Sequence, residues 1–66
     1  MKKIIGNEIN LNYDNYKKAV VQKINGIQKY GVFILVWDVE KNIAKGWFTA
    51  FTSNSLKECS EYIRNF

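Results

Sequence analysis

Residues that could take part in catalysis are scarce in this chain. It contains no histidine and one cysteine, Cys59. Histidine is the commonest general acid–base group and the commonest zinc ligand, and one thiol cannot complete a structural zinc site. Cys59 falls in an apolar helical stripe with no histidine to activate it, so we interpret it as a packing residue. The sequence therefore predicts a protein that is not an enzyme and that uses no metal and no cofactor.

Two carboxylates, Asp38 and Glu40, lie two residues apart in the chain, so they could share one face near the end of a strand. A metal site or a catalytic pair at this place would need further ligands, and the sequence pattern identifies none. We expect Asp38 to pair with Lys45 across a hairpin and Glu40 to be solvated.

Lysines close to aromatic residues favour a different chemistry, the binding of nucleic acid. The formal net charge is +4, and the positive charge is almost all lysine. Aromatic side chains on a sheet can stack on bases while lysines hold phosphates. Arginine is preferred for bidentate phosphate contacts, however, and Arg64 is the one arginine, so this function is the alternative hypothesis. Its candidate residues are Lys41, Lys45, Trp47, Phe51, Lys17 and Lys18.

Two segments on either side of a turn have the composition of strands. Residues 31–39 and 43–52 are dense in Val, Ile, Phe and Trp, which favour sheets. With Lys41 and Asn42 as the turn residues, Trp37 faces Gly46, so that a large side chain lies over a small one. We predict that the wholly apolar face in this register is the core face: Phe33, Leu35, Trp37, Val39, Ala44, Gly46, Phe48 and Ala50.

The opposite face of this predicted hairpin is also apolar over much of its length. Either a helix or the N-terminal segment covers it, or it is exposed and binds a partner. If exposed, its aliphatic and aromatic side chains have the composition of a protein interface. We predict self-association, as a homodimer, or docking to a larger protein through Val32, Ile34, Val36, Trp47 and Phe51.

Two other segments have a helical period, and a third alternates like a strand. Residues 13–25 place apolar side chains three and four positions apart, which predicts a helix. Ser55 and Glu58 have the spacing of a capping box and predict the start of a C-terminal helix. Residues 8–11 predict a short strand. The C-terminal helix has one apolar stripe: Leu56, Cys59, Tyr62, Ile63 and Phe66.

These elements predict one α+β domain over residues 1–66, in the order β-α-β-β-α. The simplest arrangement is a three-stranded, mostly antiparallel sheet with two helices packed on it. A chain of 66 residues is near the lower limit at which one core holds a fold unaided. Self-association is a common way for such a small domain to bury more surface.

Composition also bears on where the protein acts. The single cysteine excludes an internal disulfide and favours a reducing, cytoplasmic location. The longest apolar run is too short to span a bilayer, and the polar face of the C-terminal helix mixes charges, so we expect no membrane partner. No small-molecule substrate is evident. Small size and richness in Asn, Ile and Lys suggest an accessory protein of a phage or mobile element.

Overall fold

The computed structural model describes residues 5–66, which form four strands and one helix. The strands are joined in chain order, each antiparallel to the one before it, so the sheet order is β1-β2-β3-β4. No helix in residues 5–66 is long and apolar enough to cross a membrane. The elements are β1 (Ile9–Asn10), β2 (Tyr16–Lys23), β3 (Tyr30–Asp38), β4 (Ile43–Ser53) and α1 (Leu56–Arg64).

The predicted fold class is therefore wrong. The structure has the order β-β-β-β-α, with a four-stranded antiparallel sheet and one short helix, where the sequence predicted three strands and two helices. The error comes from residues 13–25, which were predicted to form a helix and instead contain β2. The predicted short strand at residues 8–11, the strands at 31–39 and 43–52, and the C-terminal helix are confirmed.

A bulge in β2 explains the misleading helical period. The pairing with β3 shifts between Tyr16 and Lys18, so an extra residue interrupts the alternation of side chains. Beyond the bulge, Ala19 and Val21 are fully buried on one face while Gln22 is exposed. This two-residue period, with β-branched valines, is typical of a strand.

The outer edge of β2 is covered by the N-terminal segment. Ile5 forms an isolated parallel bridge with Val21, and the Gly6 N–H donates to the Val21 carbonyl at 2.8 Å. Beyond β1, the Leu11 N–H donates to the Lys17 carbonyl at 2.8 Å. Residues 5–11 therefore shield one edge of the sheet from further strand pairing.

The helix α1 begins as its sequence predicts. The Ser55 side chain accepts a hydrogen bond from the Glu58 N–H, and Arg64 lies in the last turn, where a positive charge is favoured. The second bond of a capping box is different, because the Glu58 carboxylate accepts from the Ser53 hydroxyl at 2.5 Å. Ser53 thus links the end of β4 to the first turn of α1.

The core lies between α1 and one face of the sheet. Its fully buried members are Ala19, Val21, Val32, Ile34 and Cys59. The predicted core face, which contained Phe33 and Leu35, is the wrong one, because the helix packs on the Val32 and Ile34 side of β3. A single helix covers a single face, so the other face of the sheet has no helix over it among residues 5–66.

The turn between β3 and β4 is longer than predicted. Asp38 pairs with Ile43, which leaves residues 39–42 as a four-residue loop. Asp38 accepts the Lys41 N–H at 3.2 Å, so its carboxylate stabilises the loop and the predicted cross-strand pairing of Asp38 with Lys45 is wrong. Asn42 has a positive φ of 56°, and its side chain accepts from the Trp37 indole N–H at 3.2 Å.

Candidate interaction surface

The five residues predicted to bind a partner do not share a surface. Val32 and Ile34 are fully buried beneath α1, and Val36 and Phe51 are partly buried on the same side. Trp47 projects from the other side of the sheet and is 44% exposed. The structure therefore separates Trp47 from the other four residues.

A bulge in β4 causes this separation. Val32 pairs with Phe51 as predicted, but Phe33 then pairs with Thr49, so Ala50 is an extra residue. A second shift between Val36 and Trp37 makes Lys45 extra as well. A one-residue shift moves each following side chain to the opposite face. Leu35 consequently faces Trp47, where the sequence-based register paired Val36 with Trp47.

The side of the sheet away from α1 is the candidate site, and we call it the open face. The residues paired with one another across an antiparallel ladder share a face, which groups Val20 with Phe33 and Leu35 with Trp47. Phe33, Leu35 and Trp37 are half-buried, while Trp47 is exposed. The apolar members of the open face are Val20, Phe33, Leu35, Trp37 and Trp47.

The open face contains a shallow groove of about 380 Å³. Val20 lines it and is almost buried at 7% exposure, although no helix of residues 5–66 lies above it. The side chains of Phe33 and Trp47 flank it. Glu8 and Gln22 also line the groove, and Glu8 forms an ion pair with Lys18 at 3.0 Å between the charged atoms. Lys18 pairs with Leu35 across the ladder, so this ion pair lies on the open face itself, beside its apolar residues.

The sequence pattern did not indicate this site, because most of the open face was expected to lie in the core. Phe33, Leu35 and Trp37 were expected beneath helices. Because both faces of β3 are apolar, the sequence did not indicate which face packs in the core. Val20 was predicted to lie in a helix. If residues 16–23 had been predicted as a strand, Val20 could have been placed beside Phe33.

The residues of the alternative nucleic-acid hypothesis are also dispersed. Phe51 stacks on Tyr62 with ring centroids 4.8 Å apart and an angle of 8° between the planes, on the α1 side. Trp47 lies on the open face, so the two rings do not form one stacking platform. Lys18 donates to Glu8, Lys41 is in the β3–β4 loop, and Lys45 is at a bulge. Lys17 lies at the bulge of β2.

An aromatic cluster closes the end of the core beside the C-terminus of α1. Tyr16 contacts Phe66 and Phe48, with centroid distances of 5.5 and 6.2 Å. Tyr13 packs edge-on against Phe66, and its hydroxyl donates to the Phe66 carbonyl at 2.6 Å. These rings hold the last residues against β2, so their role is packing.

Cys59 is buried in the core, with no exposed surface. Burial raises the pKa of its thiol above the usual value, and the negative charge of Glu58 adds to that rise. The thiol is therefore held in its neutral, unreactive form. Within residues 5–66 no group of three His, Cys, Asp or Glu side chains could hold a metal ion.

Comparison with known proteins adds no information about this surface. The chain matches no protein-family model, no curated protein and no solved structure.

Proposed function

We propose that this chain is a small, non-enzymatic binding protein that acts by docking its open face onto another protein. The observation that carries the proposal is the group of exposed and half-buried aromatic and aliphatic side chains on a sheet face that no helix of residues 5–66 covers. An antiparallel sheet with one solvated face usually places polar side chains there. Here Trp47 is 44% exposed beside the partly exposed Phe33, Leu35 and Trp37.

The composition of the open face suits a protein partner. Tryptophan and phenylalanine are enriched at the centres of protein interfaces, and charged residues are depleted there. The open face has Phe33 and Trp47 beside the groove, and its charged residues Lys18 and Glu8 are paired with each other. A partner would bury the aromatic rings and meet Lys18 and Glu8 as a neutralised pair.

The proposal keeps Trp47 from the original set of candidate residues and replaces the other four. Val32 and Ile34 contribute to the core beneath α1 and have no surface to offer a partner. The buried, unpaired Cys59 supports a reducing, intracellular location. The idea of a phage or mobile-element accessory protein rests on size and composition alone and stays a prediction.

Nucleic-acid binding is less well supported than protein binding. Its two aromatic residues, Trp47 and Phe51, are on different sides of the sheet, and Lys18 is engaged by Glu8. Titration of labelled single-stranded oligonucleotides by fluorescence anisotropy tests this alternative. Tight binding that weakens steeply with salt, and that is lost when Lys17, Lys18, Lys41 and Lys45 become Gln, would favour it over a protein partner.

The docking proposal is tested by affinity capture from a lysate of the source cells with matched variants. Trp47→Ser and Leu35→Gln each remove an apolar side chain from the open face. Ile27→Ser is the control, because Ile27 is 95% exposed in the β2–β3 loop, away from that face. We expect one protein to be retained by the wild type and by Ile27→Ser and lost from both open-face variants.

Circular dichroism of each variant accompanies the capture experiment. Trp47→Ser is expected to stay folded because Trp47 is not part of the core beneath α1. Identical captured proteins for wild type, Trp47→Ser and Leu35→Gln would contradict the proposal. Unfolding of Trp47→Ser would contradict it as well, since it would mean that the open face is needed for the core.

A further inference from the structure

The outer edge of β4 is the second unusual surface of this protein. The N-terminal segment covers the outer edge of β2, but β4 ends the sheet, and no strand of the described chain pairs with its other side. β4 is 11 residues long, and each residue from Ile43 to Thr49 is exposed. A long apolar edge strand is a ready template for pairing with another strand.

The backbone of β4 presents free pairing groups at its centre. The Trp37 N–H donates to the Asn15 carbonyl, on the β2 side of β3. Since backbone groups alternate along a strand, those of Ile34 and Val36 point toward β4, where their partners are Phe48 and Gly46. Trp47 lies between Gly46 and Phe48, and Thr49 follows Phe48. The backbone groups of Trp47 and Thr49 therefore point away from β3. They face the open edge.

Two adjacent side chains show what kind of partner fits this edge. Trp47 is 44% exposed on the open face, and Phe48 is 40% exposed on the α1 face. A partner that docks on either face alone covers one of these rings and leaves the other in water. A strand added at the edge continues both faces and covers both rings.

We propose that a second copy of this chain adds its β4 antiparallel to β4 of the first, with the two-fold axis at Trp47. In this register Trp47 pairs with Trp47 of the partner subunit. Gly46 pairs with Phe48 of the partner subunit, and the reverse pair follows by symmetry. The dimer then has one continuous eight-stranded sheet.

The side chains of β4 are complementary to themselves in this register. Gly46 has a φ of +143°, which favours glycine, and a Cβ built there meets no atom within 4 Å. The Phe48 ring of the partner subunit can lie over this open position, as aromatic rings do over glycines on edge strands. Lys45, the one charged residue of β4, faces a threonine, so no like charges meet.

This inference extends the proposed function without depending on it. The dimer uses the β4 edge, whereas docking uses the open face, and they share only Trp47. A two-fold axis perpendicular to the sheet places both open faces on the same side. Dimerisation would therefore place the two open faces side by side in one sheet.

The test is sedimentation equilibrium of the intact chain over a wide range of concentration. Thr49→Pro removes an outward N–H and places a ring where the added strand would lie, without removing a bond to β3. Thr52→Pro is the matched control, since Thr52 pairs with Gly31 in the same outward orientation but lies outside the proposed contact. Leu35→Gln changes only the open face.

We expect the wild type to approach twice its mass of 7.7 kDa as concentration rises. Thr49→Pro should raise the dissociation constant by about 10-fold or more, since the symmetric contact is lost twice. Thr52→Pro and Leu35→Gln should leave that constant unchanged. A wild type that stays monomeric at every concentration would overturn the proposal. So would a dimer whose dissociation constant is unchanged by Thr49→Pro. A dimer that is lost in Leu35→Gln but kept in Thr49→Pro would also overturn it.

Amide hydrogen exchange of the wild type gives an independent result if the proline variants fail to fold. The Trp47 and Thr49 amides face outward, so they are unprotected in a monomer and protected in the dimer. Their protection should rise with protein concentration while that of Thr52 does not. Protection that is independent of concentration at Trp47 would contradict strand pairing between two copies.

Discussion

The Ser53 hydroxyl donates a hydrogen bond to the Glu58 carboxylate at 2.5 Å and accepts one from the Ser55 N–H at 3.0 Å. Ser53 is the last residue of β4 and is buried, at 5% exposure. One side chain therefore fixes both the strand end and the first turn of α1. Because α1 covers a single face of the sheet, this small contact helps to decide where the core forms.

Replacing Ser53 by alanine should lower the free energy of unfolding by about 1–3 kcal/mol, because the Ser55 N–H and the Glu58 carboxylate lose a partner. Thr52→Ala, at the exposed neighbouring position, is the control and should change it by less than about 0.5 kcal/mol. Equilibrium urea denaturation followed by circular dichroism measures both values. Equal stabilities for the two variants would show that the Ser53 contact does not stabilise the fold.

Ile34 and Leu35 test which face of β3 forms the core. Ile34 is fully buried beneath α1, and Ile34→Ala should cost about 2–5 kcal/mol, enough to unfold much of so small a domain. Leu35→Ala removes a partly exposed side chain from the open face and should cost clearly less. Thermal and urea unfolding of both variants give the comparison. The reverse order of stabilities would assign the core to the Phe33 and Leu35 face.

The loop between β3 and β4 depends on the left-handed conformation of Asn42. A β-branched residue is unfavourable at a φ of 56°, so Asn42→Val should destabilise the protein by about 1–2 kcal/mol. Asn42→Gly keeps the conformation but loses the bond from the Trp37 indole, and should cost less. Glu40→Val, in the same loop without a positive φ, controls for added apolar surface. Differential scanning calorimetry gives the melting temperature of each variant. Equal losses for Asn42→Val and Glu40→Val would show that the positive φ of Asn42 does not affect stability.

Cys59 should make the fold sensitive to alkaline pH. Burial and the nearby Glu58 raise the pKa of its thiol in the folded state above the usual 9.0. A raised pKa contributes stability below the unfolded value, and this contribution is lost as pH rises through the folded value. The stability of the wild type relative to Cys59→Ala should therefore fall above pH 9.0. A difference between the two proteins that does not vary from neutral to alkaline pH would refute this assignment.

Local sequence determined several elements of this protein. The helix α1 follows from Ser55 and Glu58 at its start and an apolar stripe that includes Cys59, all within a few residues. The strands β3 and β4 follow from dense β-branched and aromatic residues on either side of the turn. Such signals act within one segment, so the sequence alone contains them.

Tertiary structure decided the identity of β2 and the face of each side chain. The segment around Val20 has both a helical and a strand period, and pairing with β3 selects the strand. The bulges at Lys17, Lys45 and Ala50 arise only when two strands are laid side by side. Because side chains alternate every residue, one extra residue moves Trp47 from the helix-covered side to the open face. The candidate site therefore depends on strand register, which no single segment specifies.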